Sequence, residues 1–568
     1  MSSERTRRGR RTWFAAAAAC VIAACTATDS TSTTPIPEPI GTSELVTTGN
    51  TLSLFGGTSG GEYVLVVTDT AVDGSSAATP YQVTGTGISA GGTVSAPATS
   101  RIPLGGLVFP RGPTLDFNYS AHVNERARRV LAPRVASARA LWSQRAQFDQ
   151  RVSAASAAPQ VGDVLTLNVS SNACDSIQLR GARIVAIGTQ SIVVADTLDP
   201  TGGFTQADYQ RFAARFDTLV YPLDVSNFGA PAPFGPEGKI ILLFTSAVNA
   251  LTPANSQSYV GGFFFDRDLY PTSSTTMDQC AGSNMRNMFY LLTPDPTGAV
   301  NGNVRRTGFV DSVTTAVLAH EFQHLINASR RLYVNTGAVP NEETWLNEGL
   351  SHVAEELLFY HEGGSGPRNN LDVAALRASA ALVNAFNEDQ SSNAGRYQDY
   401  LSDPSKNSPI RNDDSLATRG AIWDFLRYLA DHKTADGSTD ASVWQALVNS
   451  KTAGIANLQQ VFGGSLGSRL RDWSVSNYTD DVAPGISAPL QQASWNWHSI
   501  YPVLSGNSSY PLKINQLSSA GATGTVIPGG AVFYRFSVAA NATGRVTITK
   551  TSGTTTTGPL QGVVIRLR

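Results

Sequence analysis

His320-Glu321-Phe322-Gln323-His324, followed by Thr344-Trp345-Leu346-Asn347-Glu348-Gly349-Leu350-Ser351-His352, is the stretch from which the rest of the chain is read. Two histidines four apart on a helix project from one face, within reach of a single ion, while Phe322, Leu325 and Ile326 turn toward a core. The helix is predicted to start at Asp311 or Ser312, both good caps, and to run to about Ala328. Glu321 is rotated off the histidine pair. A second helix is predicted from a cap at Asn341 to about Tyr360, with Glu348, His352 and Glu355 at i, i+4 and i+7 along one side.

If these helices are neighbours, His320, His324 and Glu348 offer two imidazoles and a carboxylate to one zinc ion. Metal at such a site activates water, and Glu321 is placed to act as general base and to return the proton to a leaving amine. The chain has only seven histidines, which makes chance spacing a poor explanation. The plain alternative is a relic helix that kept the pattern and lost the metal. Two further assignments stay open: His352 in place of Glu348 as third ligand or hydrogen-bonded near it, and Glu355 either orienting an imidazole or solvated beside Glu356.

Working outward, 568 residues exceed what one core serves, so a central domain with flanking modules is expected. A formal charge of -2 gives no basic face for nucleic acid, and none is expected as a partner. At the N-terminus, Arg5, Arg7, Arg8, Arg10 and Arg11 precede the apolar run Trp13–Ala24. That run is too short to span a bilayer and reads as an export signal over 1–24. Ile22-Ala23-Ala24-Cys25 resembles a lipobox, predicting a lipid anchor at Cys25 on the outer surface of a bacterial cell; an ordinary cleavage site and secretion is the alternative. Cys20 would leave with the signal. Cys174 and Cys280 then remain, as a disulfide or as two buried thiols.

A Ser/Thr/Pro-rich tether is expected over 25–44, a small N-terminal β domain over 45–116, and a helical linker over 117–157 interrupted at Pro133. The arginines of that linker suit a solvated helix face or a membrane-surface stripe. Strand signals around Val164, Ile184, Ile192 and Ile240 lead into the two helices, and helical texture continues to about Asp481. The central domain is set at 158–484, and a C-terminal β domain at 485–568. The fold class is α+β with two small β-sandwich-like flanking domains, as a monomer. Asp413-Asp414 and Asp480-Asp481 suit solvated aspartates, so calcium is not expected.

His320 to His324 together with Trp345-Leu346-Asn347-Glu348-Gly349, and Glu355 seven residues on, resembles the gluzincin metallopeptidases. The Trp-Leu-Asn-Glu-Gly segment is similar to their aminopeptidase branch; Leu318 to Asn327 in an exported chain looks more like the hyicolysin-like secreted neutral proteases. The resemblance spans roughly Gly162 to Asp481. It implies a zincin-like domain, a mixed sheet above a helical lower lobe, with one zinc on His320, His324 and Glu348, and protein or peptide substrates. Two departures stand out. The loop from Leu325 to Asn347 is long for the family, and the aminopeptidase oxyanion tyrosine corresponds to Ala417, which leaves Arg419, Tyr397 or Tyr400 for that role. With no amine-binding carboxylate motif, an endopeptidase is favoured over an aminopeptidase. The competing class is a catalytically silent surface lipoprotein whose β modules bind polysaccharide or protein.

Overall fold

Tyr63-Val64-Leu65-Val66-Val67 lies in a strand, Gly61–Asp69 (β3), that is buried along its whole length. Its alternate side chains enter two different cores. Tyr63, Leu65 and Val67 pack inside a β sandwich, whereas Val64 and Val66 join the large core of the helical lobe. A strand buried on both faces is therefore the seam of the molecule.

The structure is a computed structural model and describes residues 37–74, 77–92, 114–115, 118–144, 158–235, 238–256, 258–272, 280–433, 436–504, 509–551 and 559–568. The expected signal over 1–24, the lipid anchor at Cys25 and the first part of the tether lie outside the described residues. Residues 37–568 form one compact unit.

The partners of β3 come from opposite ends of the chain. Ala531–Val538 (β16) and Leu560–Arg566 (β18) flank it antiparallel, Ser43–Thr47 (β1) pairs with β18, and Ile514–Gln516 (β14) pairs with β16. The facing sheet runs Ala522–Val526 (β15), Thr79–Thr86 (β4), Thr543–Lys550 (β17), Thr51–Phe55 (β2), all antiparallel. The two β domains expected at 45–116 and 485–568 are thus corrected to one composite sandwich. Period-two alternation reports which face of a strand is buried and says nothing of its partner. Here the hydroxyls of Tyr81 and Tyr534 meet at 2.8 Å across 453 residues of sequence. The tether is also shorter than expected, since the Gly41 N–H already bonds to the Arg566 carbonyl and β1 follows.

A second six-stranded sheet carries the site. Its order is Gly262–Phe264 (β12), Met288–Leu291 (β13), Ile240–Phe244 (β10), Ser191–Asp196 (β9), Leu179–Ile187 (β8), Val164–Asn168 (β7), with β9, β10 and β13 parallel and the rest antiparallel. The continuous apolar run of β10 is buried at all five residues, as a central strand requires. Cys174 and Cys280 form a disulfide that ties the segment after β7 to the approach to β13.

The expected linker over 117–157 is a brace rather than a free connection. Asn118–Leu131 (α1) and Val135–Ser143 (α2), separated by a tight turn at Pro133, bury Val123, Ala127, Leu131 and Ala138. Arg139 donates to the carbonyls of Arg331, Leu332 and Ala338, and Arg128 to that of Glu342. Arg128 and Arg139 thus cap backbone carbonyls, whereas Arg126 and Arg129 lie on the exposed face of α1. Among the described residues no helix is long and apolar enough to cross a membrane.

Gln206–Arg215 (α3) packs on β8 and β9, and Thr307–Ser329 (α5) packs on β12 and β13. Between them Tyr221–Phe228 (α4) lies against α5, where Phe322 meets Phe216 and Tyr221 with ring centroids 5.1 and 5.4 Å apart. Thr344–Gly363 (α6) is sandwiched by α5 and Leu416–Lys433 (α8), and Ser391–Ser402 (α7) crosses α8. Trp495 and Trp497, beyond the expected boundary at 484, are buried with Trp423 and belong to this lobe.

Candidate metal centre

α5 begins at Thr307, earlier than the predicted caps, because the chain enters it from extended Arg306 with no side-chain cap. Its central turns carry the histidines into a fully enclosed position. His320, Glu321, His324 and Glu348 are each at most 2% exposed.

The imidazoles are oriented by what lies behind them. His320 Nδ1–H donates to Glu355 Oε1 at 2.7 Å. His324 Nδ1 lies 2.9 Å from Ser351 Oγ, whose hydroxyl donates to Gln323 Oε1 at 2.7 Å, so that Nδ1 carries the proton. With both Nδ1 protons used, both Nε2 lone pairs face the same point. They are 3.1 Å apart, and Glu348 places Oε2 3.5 Å from His320 Nε2 and Oε1 3.5 Å from His324 Nε2. Lone pairs this close repel unless a cation lies among them. A tetrahedral zinc with ligand bonds of about 2.0–2.1 Å separates its donors by about 3.3 Å, so this set fits the ion in chemistry and in spacing.

The electrostatics agree. Burial opposes charge on His320, but its bonds to Glu348 and Glu355 win and raise its pKa to about 9, so a proton takes the part of a cation there. Burial lowers His324 to about 3. Glu348 is held well below the usual carboxylate range despite burial, chiefly by Arg419 and the imidazoles, and Glu355 likewise by His352, His320 and Arg396. Glu321 differs: burial pushes it up to about 7. Its Oε2 accepts the Phe264 N–H of β12 at 2.8 Å, and its Oε1 is buried with no partner.

The register of Glu348 is set by a locked connection. α5 continues through a wide turn, Arg330–Val334, and α6 opens at Thr344 after extended Glu343, so Asn341 is not its cap. The hub is buried Glu342, which pairs with Arg331 and accepts from Gly454 N at 2.6 Å and Asn457 Nδ2 at 2.7 Å. Asn327 Nδ2 then donates to Asn347 Oδ1 at 2.7 Å, joining α5 to α6 one residue before Glu348. Gly349 allows close packing with α8, since a Cβ there would fall 2.7 Å from Ile422 Cγ1.

His352 falls on the far side of His320. Its Nδ1 lies 3.0 Å from Glu355 Oε1, so Glu348, not His352, shares the space of the two Nε2 atoms. His320, His352 and Glu355 are close enough to hold an ion themselves. Arg396 already supplies a cation there, with Nη1 3.4 Å from His352 Nδ1 and 3.6 Å from Glu355 Oε2. Arg419 reaches the centre, its Nη1 2.8 Å from Glu348 Oε2. Tyr397 and Tyr400 do not, because Tyr397 donates to Asn477 Oδ1 at 2.7 Å and Tyr400 stacks on Trp473 at 5.1 Å within the helical core. The oxyanion role considered for these tyrosines is therefore withdrawn. Sequence reasoning missed Arg396, Ser351 and the Phe264 N–H. Ser351, at i+3 from Glu348, was within reach of the helical spacing; the other two carry no local signal.

No family model matches the chain. An alignment 223 positions long, covering 36% of this chain, is 24% identical to neutral metalloprotease ShpI of Staphylococcus hyicus. The match covers 47% of that protein, so the chain spans about half the length of the curated relative.

Proposed function

We propose that the chain is an exported, zinc-dependent metalloprotease with a zincin-like catalytic domain of the gluzincin type, hydrolysing internal peptide bonds of protein substrates. The observation that carries this reading is the pair of Nε2 lone pairs converging with Glu348 beside Glu321, a carboxylate with one oxygen fixed and the other unpartnered. The similarity to a protein named as a neutral metalloprotease supports it. Anchoring through Cys25 and a monomeric state belong to the same proposal.

His320 and His324, through Nε2, and Glu348, through its carboxylate, would hold the ion. Bound there, zinc supplies Lewis acidity toward water and toward a scissile carbonyl. The protein's own part is proton transfer. Glu321 Oε1 takes a proton from the attacking water, whose oxygen adds to the carbonyl carbon, and delivers it to the departing amine nitrogen as the C–N bond breaks. The Phe264 N–H keeps Oε2 occupied, so a single oxygen performs both transfers. Glu355 and Ser351 hold the imidazoles with their Nδ1 protons turned away.

The test is zinc content of the purified protein together with casein hydrolysis by wild type and Glu321→Gln. One zinc per chain, with hydrolysis lost in the variant, is expected. A chain that binds no zinc, or a variant as active as wild type, overturns the reading in favour of a silent surface protein. Blocked against free-amino peptides separate endopeptidase from aminopeptidase action.

A further inference from the structure

Arg419 meets Glu348 in a way that a merely architectural arginine does not. Its guanidinium is completely buried and splits between two carboxylates. Nε and Nη2 bond to Asp414 Oδ1 at 2.7 and 2.6 Å, and Nη1 lies 2.8 Å from Glu348 Oε2. The last contact has the distance of an ion pair without the alignment of a hydrogen bond. It therefore acts on Glu348 through charge more than through direction. Its position is built in by the backbone: at Gly420, next in sequence, a Cβ would fall 2.3 Å from Arg396 C and from Tyr397 N, so only glycine lets α8 lie directly on α7. That crossing delivers Arg419 to Glu348 and Arg396 to Glu355.

We propose that Arg419 is a positioning residue that holds electron density on Glu348 away from the metal, keeping the ion electron-poor at some cost in metal affinity, with Asp414 setting how much of that charge Glu348 feels. The inference rests on the metalloprotease reading given above. A cation beside a ligand repels the metal and competes for the ligand's charge, whereas an anion beside a ligand, such as Glu355, reinforces it. Removing Arg419 should thus strengthen metal binding while weakening catalysis. A purely structural role would weaken both.

The experiment measures zinc dissociation constants of the full chain by chelator competition, the visible spectrum of the cobalt(II)-loaded protein, and kcat/KM on a peptide. Wild type, Arg419→Gln, Arg419→Lys and Asp414→Asn are compared. In Arg419→Gln, zinc should bind about tenfold more tightly while kcat/KM falls at least about tenfold, with a shifted cobalt spectrum. Arg419→Lys, which keeps the charge, should recover most of the wild-type behaviour. Asp414→Asn, altered at a partly exposed side chain, leaves the full charge of Arg419 on Glu348 and should bind zinc several-fold more weakly. Weaker or unchanged zinc binding in Arg419→Gln overturns the inference, and if that variant does not fold, unchanged or tighter binding in Asp414→Asn does so. A wild-type chain without zinc affinity would instead bring down the metalloprotease reading itself.

Discussion

Glu355 Oε1 lies 2.7 Å from His320 Nδ1 and 3.0 Å from His352 Nδ1, so one carboxylate oxygen accepts from two imidazoles. This oxygen fixes the tautomer of His320 and with it the direction of the Nε2 lone pair. Carboxylates behind a ligating imidazole typically contribute a factor of about 10–100 in metal affinity. Glu355→Ala is expected to weaken zinc binding by about that factor. Glu355→Gln, whose amide oxygen still accepts from Nδ1–H, should lose less. Chelator competition on the folded variants checks the order, and equal affinities in all three proteins would show that His320 is oriented by other contacts.

Gly420 and Gly349 both sit at close helix crossings, yet they should respond differently to alanine. At Gly420 the added Cβ meets backbone atoms of Arg396 and Tyr397 at 2.3 Å, so the α7–α8 pair must separate. At Gly349 it meets Ile422 Cγ1 at 2.7 Å and Leu426 Cδ1 at 2.9 Å, side-chain atoms that can shift. Overpacking of this kind costs about 1–3 kcal/mol and occasionally more, against a helix-propensity gain of about 0.5–1 kcal/mol for alanine over glycine. Gly420→Ala is expected to lie at or beyond the upper end, and Gly349→Ala near the lower. Denaturant unfolding of the two variants measures the difference.

The contrast between these helices and the sandwich explains what could be read from the chain. His320, Glu321, His324, Glu348 and Glu355 sit on two helices where a fixed repeat turns spacing into direction, which placed all five on the facing sides but left Glu355 open between orienting an imidazole and facing solvent, and Glu348 open against His352. Glu348 was placed in spite of the long loop by the spacing on its own helix together with the family resemblance; the Glu342 hub that sets the register was invisible, since its partners Arg331, Gly454 and Asn457 come from separate elements. β texture was also read at both ends of the chain, over 45–116 and 485–568, although the first strand begins inside the expected tether and Trp497–Leu504 is helical. The pairing of these strands across the whole chain was not read, because nothing in an alternating pattern names the partner. Arg396 escaped for the same reason: a helical arginine reads as solvated until a neighbouring glycine admits it to the core.

Asp480 gives a pH dependence that does not involve the candidate metal centre. Burial pushes its carboxyl up to about 8 in the folded chain, with one oxygen accepting Gln492 N–H at 2.8 Å and the other unpartnered. An unfolded aspartate titrates near 3.9. The folded state therefore holds the proton more strongly, and this contribution to stability is complete below about pH 4 and lost as pH rises through about 8. Asp424 and Glu356, each raised to about 7 by burial, act in the same direction, so the comparison between proteins carries the test. Asp480→Asn keeps an acceptor for Gln492 and removes the titration. Its melting temperature should fall less than that of wild type between pH 5 and pH 9, and parallel curves would show that Asp480 ionises normally.

Asn124 of α1 closes the open edge of β12 with its side-chain amide. Nδ2 donates to the Phe264 carbonyl at 2.9 Å, and Oδ1 accepts the Asp266 N–H at 3.0 Å. The Phe264 N–H of the same residue is the donor to Glu321, so the amide fixes the backbone that holds the Glu321 carboxylate. Replacing Asn124 by alanine leaves a buried carbonyl and a buried N–H without their partners, at a cost of about 1–3 kcal/mol for each unsatisfied group. Asn124→Asp keeps an acceptor for Asp266 N–H but turns a carboxylate toward the Phe264 carbonyl, and should destabilise at least as much near neutral pH. Both variants should show faster amide exchange along β12 than wild type, with exchange in the distant sandwich strands β2 and β17 unchanged. Exchange measured by mass spectrometry separates this local loosening from global destabilisation, which would speed exchange in both regions alike.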